Sequence, residues 1–182
     1  MNRKNTNNNK TEGKTAFFLG RFQPFLHNGH VSVVKSILNK YEKLIIGLGS
    51  AQFSRKPENF ATVEERKKLW EEILDSFSIE NDRYEILPID DIGNNDLFVS
   101  HVAQSIPDFD VIVTGNVLVR RLFRDAGYQV RSIHKPYFGV SNTKIRRMIA
   151  ENEDVSGLIP PASSKFLKDN LNKFNQINKT NT

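Results

Sequence analysis

Five short apolar runs, at residues 16–19, 44–48, 84–89, 111–113 and 128–133, decide what this chain can fold into. Most are unbroken rather than alternating, the pattern of strands covered on both faces and therefore of a parallel sheet. The stretches between them carry helical spacing. Val31, Val34, Ile37, Leu38 and Tyr41 line one face after Asn28, a plausible cap. Thr62 and Glu65 form a capping box ahead of a stripe of Val63, Leu69, Trp70, Ile73, Leu74 and Phe77. Residues 97–106 and 117–123 supply further crossover helices, and a last helix starts near Ser141. Strands alternating with helices in this order predict a doubly wound α/β domain. In such a sheet ligands bind beyond the carboxyl ends of the strands. The polar and glycine-bearing segments fall there, at 20–30, 49–59, 90–95, 115–116 and 134–143.

A length of 182 residues with 38% hydrophobic content suits one domain with a real core. We expect a disordered arm over 1–14, the domain over 15–168 and a polar C-terminal tail over 169–182. The net charge of +5 raises the question of nucleic acid, and its distribution answers it. Residues 1–15 hold +3 (Arg3, Lys4, Lys10 and Lys14 against Glu12), and residues 165–182 hold another +3, which leaves −1 for the body. A near-neutral body with basic ends argues against a broad nucleic-acid face. The absence of cysteine removes disulfides, thiolate catalysis and cysteine-bound zinc. No run approaches the ~20 apolar residues of a membrane span and the N-terminus is polar, so the expectation is a cytoplasmic protein.

The chemistry concentrates at the end of the first strand, in Gly20-Arg21-Phe22-Gln23-Pro24-Phe25-Leu26-His27-Asn28-Gly29-His30. A glycine lets backbone approach phosphate, and imidazoles at a helix start donate to phosphoryl oxygens where the helix end adds favourable partial charge. Zinc on His27 and His30 would need further ligands, and His101 and His134, the other histidines, stand in no metal motif. The second cluster, Val140-Ser141-Asn142-Thr143-Lys144-Ile145-Arg146, places hydroxyls and free amides at a helix start, with an arginine one turn in. The run from Gly47 to Gln52 fails as a dinucleotide fingerprint at its sixth position, and no G-x-x-x-x-G-K-[ST] loop exists.

Together these segments resemble the GRxQPF-HxGH and ISSTxxR signatures of the HxGH nucleotidyltransferase superfamily. The chain departs from the first in holding both Phe25 and Leu26 before His27. The extra residue either bulges out of the loop or displaces His27. Further pieces resemble the archaeal-type nicotinamide mononucleotide (NMN) adenylyltransferases: Gly49-Ser50-Ala51-Gln52, Thr62 to Arg66 as TxxER, Asn95 with Leu97-Phe98-Val99 and His101, and Thr114-Gly115-Asn116 leading to Arg121-Leu122-Phe123. The resemblance covers about Ala16 to Ile159 and implies a Rossmann-like, five-stranded parallel sheet.

It also implies roles. His27, His30 and Arg146 would be catalytic. Gly20, Arg21, Phe22, Gly29, Gly115, Asn116, Ser141 and Thr143 would bind ATP. Ser50 would lie near the acceptor phosphate, Asn95 would bond the nicotinamide carboxamide, and Phe98 would stack on its ring; read alone, Phe98 is a core residue. Glu58 falls near the place of a basic residue that the family carries, for which Arg55 or Lys56 could substitute. The implied reaction joins AMP from ATP to NMN, giving NAD and pyrophosphate, with Mg2+ carried mainly on ATP, no protein-bound metal and a homo-oligomeric enzyme. The same chemistry on FMN or phosphopantetheine, a non-catalytic nucleotide sensor and a nucleic-acid binder using the basic tails remain as alternatives.

Overall fold

The computed structural model describes residues 14–133 and 139–179. The expected arm falls almost wholly outside these residues, as do His134 and its four successors. Five strands, β1 (Thr15–Gly20), β2 (Lys43–Gly49), β3 (Tyr84–Ile89), β4 (Val111–Thr114) and β5 (Gln129–Ser132), form one sheet in the order β3-β2-β1-β4-β5. All four pairings are parallel, with Thr15 opposite Lys43 and Ala16 opposite Val111. The unbroken apolar strands thus lie where their composition requires, inside the sheet with both faces covered.

Alternate residues of the central strands feed two cores. Ala16, Phe18, Ile46 and Val113 pack with α1 (Asn28–Leu38) and α2 (Val63–Ser76) through Val34, Ile37, Leu69 and Trp70. Phe17, Leu19, Ile45 and Ile112 face the other way, against Val102 and Ile106 at α3 (Asn95–Ser105) and Phe123 of α4 (Val117–Asp125). The helices therefore wind on both faces, and the order reverses at β1, which pairs with β2 on one side and β4 on the other. Such a switch point opens a crevice at the carboxyl ends of the strands.

A third cluster caps the domain. Phe25 and Phe60 pack with Ile145 and Ile149 of α5 (Asn142–Ala150) and Phe174 of α6 (Pro161–Lys179). The boundary expected at 168 needs correcting, because α6 runs through it and Phe174 is buried, its ring 5.6 Å from Phe25 and 5.2 Å from Phe60. The polar composition of 169–179 conceals the end of a helix that buries only a narrow stripe. The cap of α1 also differs from the expected Asn28: His27 occupies it. Among the described residues no helix is long and apolar enough to cross a membrane.

Candidate active site

A cavity of about 540 Å³ opens at the carboxyl ends of the strands, within the usual range for small-molecule sites. Each strand end reaches it: Gly20 and Arg21 after β1, Gly49 and Ser50 after β2, Asp90 after β3, Gly115 and Asn116 after β4, and Ile133 after β5. His30 from the first cluster and Thr143 and Arg146 from the second line this one space. Asn95 and Phe98, at the start of α3, line it too. Phe98 is only half-buried; it packs edge-on against Phe123 at 6.4 Å and also lines the cavity.

The histidines hold each other. His30 N–H donates to His27 Nδ1 at 3.3 Å, and His27 N–H donates to His30 Nδ1 at 3.2 Å. This is a capping box built from two imidazoles. Both Nδ1 atoms accept, so the proton of each neutral ring sits on Nε2, an assignment made from the bonding pattern. The rings stack with centroids 3.6 Å apart. Burial lowers the His27 pKa from 6.5 to about 4; burial, and then the charge of His27, push His30 well down in the same direction. Two neutral Nε2–H donors result.

Neither outcome expected of the extra residue occurs in simple form. Phe25 and Leu26 are both fully buried, Phe25 in the third cluster and Leu26 in the first, so the loop turns both inward. His27 is thereby set as the cap beneath His30 and does not itself line the cavity wall. Gly29, inside α1, and Ser141, which caps α5 by accepting from Lys144 N–H at 3.2 Å, also stand behind the wall. Asn116 caps α4, accepting from Leu118 and Val119.

Glycine is required at position 20. A Cβ there would stand 2.9 Å from the Phe22 ring. Phe22 in turn packs edge-on against His30 at 5.2 Å and Trp70 at 5.2 Å. Both Phe22 (φ 54°) and Ser50 (φ 51°) adopt the left-handed backbone that costs a non-glycine residue about 1–3 kcal/mol; Ser50 directly follows β2, and Phe22 stands two residues past the end of β1.

Charge is divided across the cavity. Arg21 and Arg146 supply cations, while Glu58, Asp90 and Asp91 lie on the lining as well. Arg55, suggested for the basic role, is not among the residues lining the cavity; its guanidinium lies 2.5 Å from Glu65 and 3.2 Å from the Phe60 carbonyl. Lys56 lies over the Phe53 ring at 4.9 Å. Among the described residues no group of three or more His, Asp or Glu could hold a metal ion.

Two residues quoted within sequence motifs, but given no role by them, matter here. Gln23 is buried and bonds both the carbonyl and the N–H of Ala61, at 2.7 and 2.9 Å, which ties the β1 loop to the start of α2. Arg66 is fully buried on α2, and burial pushes its guanidinium down to about 10, still charged at neutral pH. The available signal was an arginine set one turn before Trp70 on the apolar face of an amphipathic helix.

Residues 17–148 match the cytidylyltransferase-like family. The nicotinamide-nucleotide adenylyltransferase of Archaeoglobus fulgidus is 41% identical over 160 residues, 85% of this chain and 90% of that protein. The enzyme of the same name from Thermoplasma acidophilum is 39% identical over 173 residues, 92% and 93% of the two chains. Among solved structures, a bifunctional NMN adenylyltransferase/ADP ribose pyrophosphatase from Francisella tularensis, complexed with AMP and a manganese ion, superposes with a TM-score of 0.70 at 22% identity. That match covers 90% of this chain and 51% of the bifunctional protein, and carries the fold alone.

Proposed function

Because the chain belongs to the cytidylyltransferase-like family, alongside nicotinamide-nucleotide adenylyltransferases, we propose that it transfers AMP from ATP to nicotinamide mononucleotide. The observation that carries this reading is the convergence of His30, Arg146, Asn95 and Phe98 on one cavity. An oxygen of the acceptor phosphate attacks the α-phosphorus of ATP in line, the bond from that phosphorus to the bridging β-oxygen breaks, and pyrophosphate leaves as NAD forms. The nucleophile is already an anion, so no general base is needed and no covalent enzyme intermediate arises.

Catalysis then reduces to alignment and charge. Orientation can supply about 7–11 kcal/mol in favourable cases. In this reading His30 donates from Nε2 to a phosphoryl oxygen. It does so as a neutral ring, because protonating Nδ1 would set a second donor against the His27 N–H. His27 acts from behind, fixing the orientation and tautomer of its partner. The compensating charge comes from Arg21 and Arg146, which need no titration. Gly20, Phe22, Gly115, Asn116 and Thr143 shape the ATP side, with Gly29 and Ser141 supporting the two helix starts. Ser50, Asn95 and Phe98 form the acceptor side, where a side-chain amide complements a carboxamide and an aromatic face suits a cationic pyridinium.

In this reading a divalent ion is brought in on the triphosphate, held through phosphates and waters without a dedicated protein cage. Such an ion would neutralise charge developing on the leaving pyrophosphate. A cytoplasmic, homo-oligomeric enzyme belongs to the same reading. The test is pyrophosphate release from ATP and Mg2+ against a panel of NMN, FMN and phosphopantetheine. Turnover with NMN is expected; activity with FMN and none with NMN would overturn the choice of acceptor.

A further inference from the structure

Arg66 is the one charged side chain of α2 without solvent exposure, and it makes no ion pair among the described residues. Its guanidinium serves carbonyls instead. One terminal nitrogen donates to Arg21 O and to Gly49 O, both at 2.8 Å, the other reaches Ser50 O at 3.5 Å, and Nε reaches Thr62 O at 3.4 Å. A cation buried among backbone dipoles, with only the exposed Glu64 carboxylate acting on it from a distance, is costly unless its donors are satisfied, so the choice of these carbonyls needs a reason.

The positions of those carbonyls supply it. Arg21 O belongs to the peptide that enters Phe22, and Gly49 O to the peptide that enters Ser50. These are the two left-handed residues at the ends of β1 and β2. In a trans peptide the N–H points opposite to the carbonyl. One guanidinium therefore sets the orientation of both strand-end peptides, turning the Phe22 and Ser50 amides away from α2. Arg21 and Phe22 line the proposed ATP side of the cavity and Ser50 the acceptor side, so Arg66 bridges the two halves from beneath. A rigid planar fork suits this task, whereas the point charge of a lysine on a flexible stem does not.

From this geometry we infer that Arg66 is a positioning residue for the transfer reaction, locking the β1 and β2 strand ends in the register that aligns donor with acceptor. The inference rests on the reaction proposed above. It predicts that loss of the fork spares the binding of each nucleotide alone and damages the ternary complex, since a misplacement near 1 Å can cost about a hundredfold.

Trp70, the only tryptophan, packs edge-on against Phe22 and sits one helical turn after Arg66, so its fluorescence reports on the site. The variants are Arg66→Lys and Arg66→Gln, each compared with wild type for melting temperature, for affinity toward Mg-ATP and NMN singly, and for kcat. At least one variant is expected to melt within about 5 °C of wild type. That variant should bind each nucleotide within about threefold of wild type and lose at least about tenfold in kcat, with Lys no better than partial rescue. Affinity for NMN in the presence of a non-cleavable ATP analogue should fall by a similar factor. A wild type that binds both nucleotides yet releases no pyrophosphate counts against the reaction, and Arg66 is then judged on the ternary affinity. The inference is overturned if kcat and ternary affinity are retained, if they fall only in proportion to single-ligand binding, or if both variants unfold.

Discussion

The reciprocal histidine cap makes a prediction about acid stability that is independent of substrate. His27 titrates at about 4 in the folded chain against 6.5 when unperturbed, a difference worth about 3 kcal/mol, and it is nearly fully buried, so solvent screening takes little away. The sign follows from linkage. Above pH 6.5 the ring is neutral in both states and contributes no pH dependence. Below 6.5 the unfolded chain takes up a proton that the folded chain refuses, so stability is lost as pH falls and the loss ends once pH drops below about 4. Between about pH 7.5 and about pH 5, His27 alone should remove about 2 kcal/mol. His30 is shifted in the same direction and adds to that loss. Carboxylates lowered in the fold, such as Asp154, act below this window. The assay is urea unfolding of wild type and of a His27→Asn/His30→Asn double variant at both pH values, with Asn chosen because it can still cap α1. His101 and His134 are common to both proteins and cancel. Parallel pH dependences in the two proteins would refute the buried, neutral state of the pair.

His30→Ala should lower turnover at least about a hundredfold with the fold retained, the usual cost of losing one preorganised donor; wild-type kinetics would remove His30 from the mechanism. Gly20→Ala should drive the new methyl into the Phe22 ring, 2.9 Å away, and through it disturb His30, so activity should fall well before stability does, as read by kcat and by thermal melting. Phe174→Ala, which opens the third cluster, should cost about 3–5 kcal/mol in urea unfolding, and a chain ending at 168 should be less stable still. A tail that could be removed without loss would show that α6 does not support the domain.

Much of this protein was legible in its residues because the deciding interactions are local or periodic. Unbroken runs such as 44–48 announce strands covered on both faces, and the Thr62 and Glu65 box marks the start of α2 where the structure has it. The strand-end rule then brings Gly20, Ser50, Asn95 and Gly115 to one crevice without any knowledge of the sheet order. What pattern could not reach lay in long-range pairings. The two inward turns of Phe25 and Leu26 depend on which cluster each side chain meets, and the place of 169–179 in the fold depends on Phe174 finding Phe25 and Phe60. Arg66 is the sharpest case: its partners Arg21 and Gly49 lie 45 and 17 residues away, and only packing α2 beneath two parallel strands brings their carbonyls to one guanidinium. Periodicity and capping chemistry are written along the chain and determine its elements, whereas burial of a charge is a property of the assembled interior and is decided only when the sheet and its helices close around it.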